Sequence, residues 1–210
     1  MKRFFALLAC SFLFFTVSAQ DSKLILGVDV AATRSKLWGD GMSDAFNINP
    51  LYGFSPGINL EYILSPALSV KTGLCYERRG YWSDVLGPIS DATTYNDYLL
   101  TPLVVSLSTK GVTKFYVNGG VLFGFLLSKT RLLTFYGDID EEKSDASENA
   151  RKYDFGLSFG CGVMRPIGSR ILLDIGLRDN LGLIDTIKTE NGGKTRYNTL
   201  GLVLSLKYRL

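Results

Sequence analysis

The sequence lacks several features that enzymes and nucleic-acid-binding proteins use. It contains no histidine, so Ser–His–Asp hydrolases and other histidine-dependent esterases are disfavoured. Its 23 basic and 20 acidic residues are nearly balanced, which argues against nucleic acid as a partner. No phosphate-binding loop, C-x-x-C pair or dinucleotide fingerprint is present. We therefore predict no catalytic residue, no cofactor and no metal site, and expect that the protein is not an enzyme.

Long apolar runs are also missing after the first segment. Lys2 and Arg3 precede an apolar run that leads to Val17-Ser18-Ala19, a pattern typical of a secretory signal. We predict a signal peptide over residues 1–19 and one domain over 20–210, exported without a helical anchor because a spanning helix needs about 20 apolar residues. The alternative is a lipoprotein signal, in which Cys10 would be lipidated.

Apolar and polar residues alternate with period two in about eight segments, which indicates β-strands with one apolar face. The connections between these segments are alternately long and short, as in outer-membrane barrels with short periplasmic turns. We predict an all-β fold, an eight-stranded antiparallel up-and-down transmembrane β-barrel. The predicted strands are Leu24 to Thr33, Gly53 to Leu64, Leu68 to Tyr81, Tyr98 to Leu107, Lys114 to Leu127, Tyr153 to Arg165, Arg170 to Leu183 and Tyr197 to Leu210.

The two faces of these strands differ in charge. One face is apolar and uncharged in the segments compared, with Leu26, Val28 and Val30 in the first strand, and we expect it to meet lipid. The other face would line the lumen, where an eight-stranded barrel has room only for side chains. We predict a lumen charge network of five acids and five bases: Asp29, Glu61, Lys71, Glu77, Arg79, Asp154, Asp174, Arg178, Lys207 and Arg209. A soluble barrel with the apolar face inside is the alternative.

Two cysteines, Cys75 and Cys161, remain after the predicted signal. Cys75 is in register with the charged face and Cys161 with the apolar face, so the two thiols should point to opposite sides of the sheet. We predict two free thiols, although export would permit a disulfide.

Two predicted loops have other candidate roles. The acidic stretch from Asp138 to Glu148 resembles a solvated external loop and lacks the glycine and terminal glutamate of an EF-hand, with calcium binding as the alternative. Aromatic residues at loop bases are typical interfacial anchors, with a docking surface for an extracellular or lipopolysaccharide partner as the alternative. These aromatics are Trp38, Phe46, Trp82 and Tyr95.

The stretch Asp97-Tyr98-Leu99-Leu100-Thr101-Pro102-Leu103 is followed by Phe115-Tyr116-Val117-Asn118-Gly119-Gly120 and Phe123-Gly124. This arrangement resembles the PorT-like outer-membrane β-barrel family, as does Leu181-Gly182-Leu183 after the seventh strand. The resemblance implies a barrel in the outer membrane. Because the family's namesake serves a protein-secretion and gliding apparatus, it also implies a possible accessory role in secretion. Proline removes a ladder donor, so we expect a local bulge at Pro102.

The sequence therefore predicts a monomeric barrel of the cell outer membrane, in contact with outer-membrane lipid. Its role would be structural, or binding through extracellular loops to an extracellular or secretion-machinery partner. Two alternatives remain: a soluble barrel that carries a lipid, and a histidine-free lipid-modifying enzyme that depends on Glu77 or Asp154. The strand register near Pro56 and Pro102 and the reactivity of Cys75 are left open.

Overall fold

The computed structural model describes residues 23–39, 48–84, 89–135, 141–145, 151–185 and 195–210. The predicted signal peptide with its cleavage site, Cys10 and Phe46 lie outside the described residues. Asp138, Asp140 and Glu148 of the acidic stretch also lie outside them.

The described residues form nine β-strands. The barrel strands place apolar residues on their outward face and mainly small, polar or charged residues on the inward face, so that the inward face can be packed inside a closed sheet. The strands are β1 (Leu24–Trp38), β2 (Ile48–Ser65), β3 (Leu68–Asp84), β4 (Ile89–Ser108), β5 (Lys114–Phe135), β6 (Glu141–Asp145), β7 (Tyr153–Pro166), β8 (Ile171–Gly182) and β9 (Arg196–Arg209).

Eight of these strands close into an antiparallel barrel in chain order, with β6 outside the ring. The closing pair joins β1 to β9, in a register that runs from Ile25 opposite Arg209 to Trp38 opposite Arg196. The predicted eight-stranded up-and-down barrel is thereby confirmed. Each barrel strand pairs with its neighbours in the order of the chain, and all the ladders between the described strands are antiparallel.

The ninth strand is a difference from the prediction. The sequence predicts that Glu141–Asp145 lies in a solvated external loop and not in a strand, but it pairs with Thr130–Thr134 of β5. Strands β4 and β5 also extend past their predicted limits and pair as far as Ile89 opposite Phe135. The physical reason is that a ladder needs only backbone donors and acceptors, so a hairpin can continue where apolar and polar residues no longer alternate in the sequence.

The barrel has two unlike ends. We call the end with the short connections 66–67, 109–113 and 167–170 the turn end, and the opposite end the loop end. From Leu24 at the turn end, ten residues of β1 lead to Arg34. At about 3.4 Å per residue and a tilt of roughly 40°, this stretch rises roughly 25 Å along the barrel axis. That height equals the apolar band of a transmembrane barrel, about 25 Å.

The outer wall of this band is apolar and exposed. In β1, the exposed side chains Leu26, Val28 and Val30 alternate with the inward Ile25 and Ala31, which are buried. Val28 is 56% exposed, whereas a core residue of a soluble barrel would be buried. The apolar face therefore points outward.

The two prolines interrupt the ladders differently. Pro56 keeps its register with β1, but the register between β2 and β3 shifts by one residue between Pro50 and Gly57. The bulge expected at Pro102 is wrong, because Pro102 pairs with Leu122 in an unbroken register. On its other side the Pro102 carbonyl accepts a hydrogen bond from Thr72 Oγ1 (2.9 Å). This side-chain hydrogen bond helps to hold β3 and β4 together at a position where proline has no N–H to donate.

Two buried apolar clusters occupy the lumen. One comprises Ile25, Met164 and Leu172 at the turn end, which we call the plug, with Ile63 and Tyr116 packed against it. The other surrounds Leu100 and contains Cys75. Cys161 is exposed on the outer wall, and both thiols are free, so this prediction is confirmed. In the part of the chain that the structure describes, no helix is long and apolar enough to span a membrane.

Candidate functional site: the charged lumen

Inward-facing charged residues form two clusters along the lumen. The turn-side cluster lies just above the plug and contains Asp29, Glu61, Lys71, Asp174 and Lys207. Each comes from an inward position of a different barrel strand, and Glu61 of β2 and Lys71 of β3 are directly opposite each other. Period-two alternation is what aims all five at the same axis.

Lys207 is the centre of the turn-side cluster. Its Nζ lies 3.0 Å from Glu61 Oε2 and 2.8 Å from Asp174 Oδ2, and it also lies over the ring of Tyr116. Ser69 Oγ donates to Glu61 (2.6 Å), and the Tyr116 hydroxyl donates to Asp174 (2.8 Å). Both carboxylates therefore have two partners, which is what buried charges require.

Asp29 forms the upper part of the same cluster. Its Oδ1 accepts hydrogen bonds from Asn59 Nδ2 (2.7 Å) and from the Ser205 hydroxyl, and its Oδ2 lies 3.6 Å from Lys71 Nζ. The turn-side cluster therefore contains three carboxylates and two ammonium groups, an excess of one negative charge when all are ionised.

The loop-side cluster lies further along the lumen and is neutral. Arg79 donates from Nε to Glu77 Oε1 (2.7 Å) and from Nη1 to Asp154 Oδ2 (2.6 Å), and its guanidinium lies over the ring of Tyr98. Arg178 Nη2 is 3.8 Å from Glu77 Oε2. Arg79 and Glu77 are both 0% exposed, so this ion pair is cut off from solvent.

Neutral amides and hydroxyls complete the loop-side cluster. Asn180 Nδ2 donates to Glu77 Oε2 (2.9 Å) and its Oδ1 accepts from Ser158 (2.8 Å). Arg178 Nη2 also donates to Ser55 Oγ (3.0 Å). Sequence analysis missed these residues because they are uncharged. Only their inward register in alternating strands could have predicted that they line the lumen.

Nine of the ten residues predicted to line the lumen are brought together in these two clusters, and Arg209 is not. Arg209 is exposed at the mouth of the turn end, and no ion pair involves it among the described residues. The alternation of β9 points it inward, but it is the last residue of β9, two residues beyond Lys207 and opposite Ile25 at the open margin of the barrel. Its inclusion in the buried network is wrong for this reason.

The space left in the lumen is small. A cavity of about 40 Å³ lies between the clusters, bordered by Lys71, Cys75, Tyr116 and Arg178, and another of about 20 Å³ lies beside Lys207. Cavities of this size hold a few water molecules at most. The described residues contain no group of three His, Cys, Asp or Glu side chains placed to hold a metal ion.

A further polar cluster lies on the outer wall near the loop end. Arg78 donates to both oxygens of Asp97 (2.8 and 3.1 Å), and the Tyr76 hydroxyl (2.6 Å) and Ser128 hydroxyl (3.1 Å) donate to the same carboxylate. Arg78 also lies over the ring of Tyr95. Charge thus reappears on the outer wall at the height where the apolar band ends.

The sequence matches the model of the family described as outer membrane protein beta-barrel domain over residues 19–188. The chain belongs to this family. As an outer-membrane barrel it places the exposed apolar band against lipid, which confirms the predicted membrane and sets aside the soluble barrel. A comparison with curated proteins found no match.

Solved outer-membrane barrels share the fold at low sequence identity. OprG from Pseudomonas aeruginosa is 13% identical, with 90% of this chain and 97% of that chain covered and a TM-score of 0.50. AlkL in DMPC lipid bilayers is 14% identical, with coverages of 93% and 94% and a TM-score of 0.50. Neisserial surface protein A is 16% identical, with coverages of 90% and 98% and a TM-score of 0.48. At these identities the likeness concerns the fold alone.

Proposed function

We propose that this outer-membrane barrel is a closed, non-enzymatic scaffold whose role is structural or lies in binding through the connections at the loop end. The observation that carries the proposal is the filled lumen, whose two cavities between charged side chains measure only about 40 and 20 Å³. A solute that entered from the turn end would have to displace the plug and then both clusters. Displacing a partner would leave a buried charge uncompensated, which costs about 3–5 kcal/mol when the partner is removed by mutation.

Conductance measurements test the closed lumen. Purified protein in planar bilayers should give no reproducible ion-conducting steps, and liposomes that contain it should not swell in small sugars. A general porin in the same lipid serves as the positive control. Stable conducting steps from the wild-type protein would show that the lumen opens, and the proposal would then be abandoned.

The proposed lack of enzymatic activity follows from the surroundings of the lumen carboxylates. Glu77 and Asp154, the candidates for a histidine-free lipid-modifying enzyme, are bound to Arg79 inside the barrel and are kept from lipid by its wall. Mass spectrometry of phospholipid and glycolipid vesicles incubated with the protein should find no hydrolysed or transferred acyl chain. A product that disappears with Glu77→Gln or Asp154→Asn, while the barrel still folds, would establish the enzyme instead.

The proposed binding role is supported by aromatic and basic side chains at the loop end. Arg196 lies over the ring of Trp38, and Trp82 is exposed on the outer wall.

We infer that the loop end faces the cell exterior and the turn end the periplasm, and that the protein is a monomer surrounded by lipid. Protease treatment of whole cells should cut the connection 186–194 and leave the connection 167–170 intact, and native mass spectrometry should give one chain. Cleavage only after permeabilisation would reverse the orientation.

A second candidate is an accessory role in protein secretion, as the PorT-like resemblance implies. The resemblance rests on residues that the structure places in strand β4, Asp97–Leu103, and in the hairpin from β4 into β5. Deleting the gene should then reduce the amount of exported protein outside the cell, and re-expression should restore it. An unchanged set of exported proteins would remove this candidate and leave the closed scaffold in place.

A further inference from the structure

The turn end of the barrel is strongly basic. Its described residues 23, 65–67, 109–114, 165–170 and 209–210 include six lysines and arginines and no aspartate or glutamate. The six are Lys23, Lys110, Lys114, Arg165, Arg170 and Arg209. In the lumen, in contrast, each of the bases Lys71, Arg79, Arg178 and Lys207 has a carboxylate partner.

These six bases lack a counter-charge within the described part of the chain. None of the ion pairs found there involves them. Arg170 makes a long hydrogen bond from Nη1 to the hydroxyl of Tyr208 (3.3 Å), which leaves its charge uncompensated. A concentration of one sign of charge around a concave surface focuses the electrostatic field and attracts ligands of the opposite sign.

Such a concave surface is present at the mouth of the turn end. A groove of about 310 Å³ lies between the connections 109–113 and 167–170, with Lys114, Arg170 and Arg209 among its lining residues. Met164 and Leu172 of the plug and Val112 are its apolar lining residues. Val112 is 71% exposed at the tip of its connection, where an apolar side chain has no packing reason to be. A groove with apolar lining residues and separate polar groups is typical of a binding site.

We propose that this groove binds an acidic protein segment, with alternating carboxylate and apolar side chains, on the aqueous side that the turn end faces. The carboxylates would bind Lys114, Arg170 and Arg209, and the apolar side chains would pack on Val112 and the plug. A protein segment is favoured over a membrane lipid because the groove opens at the mouth of the lumen. Lipid contacts the outer wall, where Arg165 lies instead.

A peptide-binding experiment tests this proposal. The probe is a fluorescein-labelled decapeptide of alternating Glu and Leu, and fluorescence anisotropy follows its binding to the full barrel in phosphatidylcholine nanodiscs. The control peptide has Gln in place of Glu. The acidic peptide should bind at least about tenfold more tightly than the Gln peptide, and its affinity should fall between about 50 and 500 mM NaCl because charge attraction is screened.

Two variants locate the site. Lys114→Gln with Arg209→Gln should weaken binding by about tenfold or more, whereas the matched Arg165→Gln variant on the outer wall should not change it. Arg209→Gln alone gives a second test if the double variant does not fold, since Arg209 is exposed. Equal affinity for both peptides, no binding by wild type, or equal losses in the groove and wall variants would each overturn the proposal.

A lipid ligand is the remaining outcome. If the acidic peptide does not bind, but phosphatidylglycerol in the nanodisc stabilises wild type more than the groove variant, then the groove bases serve an anionic lipid and the proposal is wrong. The site lies at the end opposite the loops, so none of these results bears on binding through the loop end.

Discussion

Replacement of Arg79 by Met would test whether the loop-side cluster holds the barrel together through charge compensation. Arg79 is completely buried and contacts both Glu77 and Asp154. Met is long enough to fill much of the same space but carries no charge. In the variant, Glu77 would keep only Asn180 (2.9 Å) and the more distant Arg178 (3.8 Å), and Asp154 would lose its ion pair.

We expect this change to lower the free energy of unfolding by about 3–5 kcal/mol, because it leaves buried carboxylates uncompensated. The double variant Arg79→Met, Asp154→Asn removes one charge of each sign, keeps Glu77 opposite Arg178, and should recover most of that loss. Replacing a buried ion pair by neutral groups of similar volume is often close to neutral. The difference between the single and the double variant therefore isolates the uncompensated charge from the change in packing.

Urea unfolding in phospholipid vesicles would measure both variants. The two tryptophans, Trp38 and Trp82, lie on barrel strands and report unfolding by fluorescence, and gel mobility checks that each variant forms the barrel. Arg165→Met is the matched control on an exposed arginine, with an expected change within about 0.5 kcal/mol. A loss below about 1 kcal/mol for Arg79→Met, or a double variant no more stable than the single one, would refute the reasoning.

Three further predictions concern packing, thiols and closure. A Cβ at Gly120 would lie 2.1 Å from the Leu103 carbonyl oxygen, so Gly120→Ala should cost about 1–3 kcal/mol in urea unfolding. A Cβ at Gly168 would lie 3.8 Å from Ile171 Cβ, an ordinary contact, so Gly168→Ala should be neutral, and equal losses would contradict the close strand contact. In detergent, a maleimide should label Cys161 but not Cys75 until the chain is denatured, and early labelling of Cys75 would mean that the lumen opens. Unboiled protein should migrate faster than boiled protein in SDS gels, as a closed barrel resists SDS.

The sequence predicted the faces of the barrel well because alternation is a local property. In β1, the assignment of Val28 outward and Asp29 inward needs only the period of a strand, and it holds for Cys75 and Cys161 in the same way. The strand limits at the loop end were harder to predict. Residues such as those from Ile89 to Asp97 lack a clear alternation, but backbone pairing continues through them.

The contacts between side chains within the lumen could not be predicted from the sequence. Arg79 meets Asp154 across 75 residues of chain, and Lys207 meets Glu61 across 146, although all four were predicted only to share the inside of the barrel. Which inward charge faces which depends on the stagger between neighbouring strands, and this stagger accumulates around the ring. Amides and hydroxyls such as Asn180 and Tyr116 joined the clusters for the same reason.

The sequence by itself determined a closed, alternating β-barrel with charge inside and an apolar wall outside, because period-two patterning fixes the side of the sheet for each residue. Only the tertiary structure decided that the charges divide into two clusters, that a plug lies at the turn end, and that Arg209 lies with Met164 and Leu172 of this plug in a basic groove. Height along the barrel axis depends on tilt and on the register at which β9 closes against β1, and no single strand encodes either quantity.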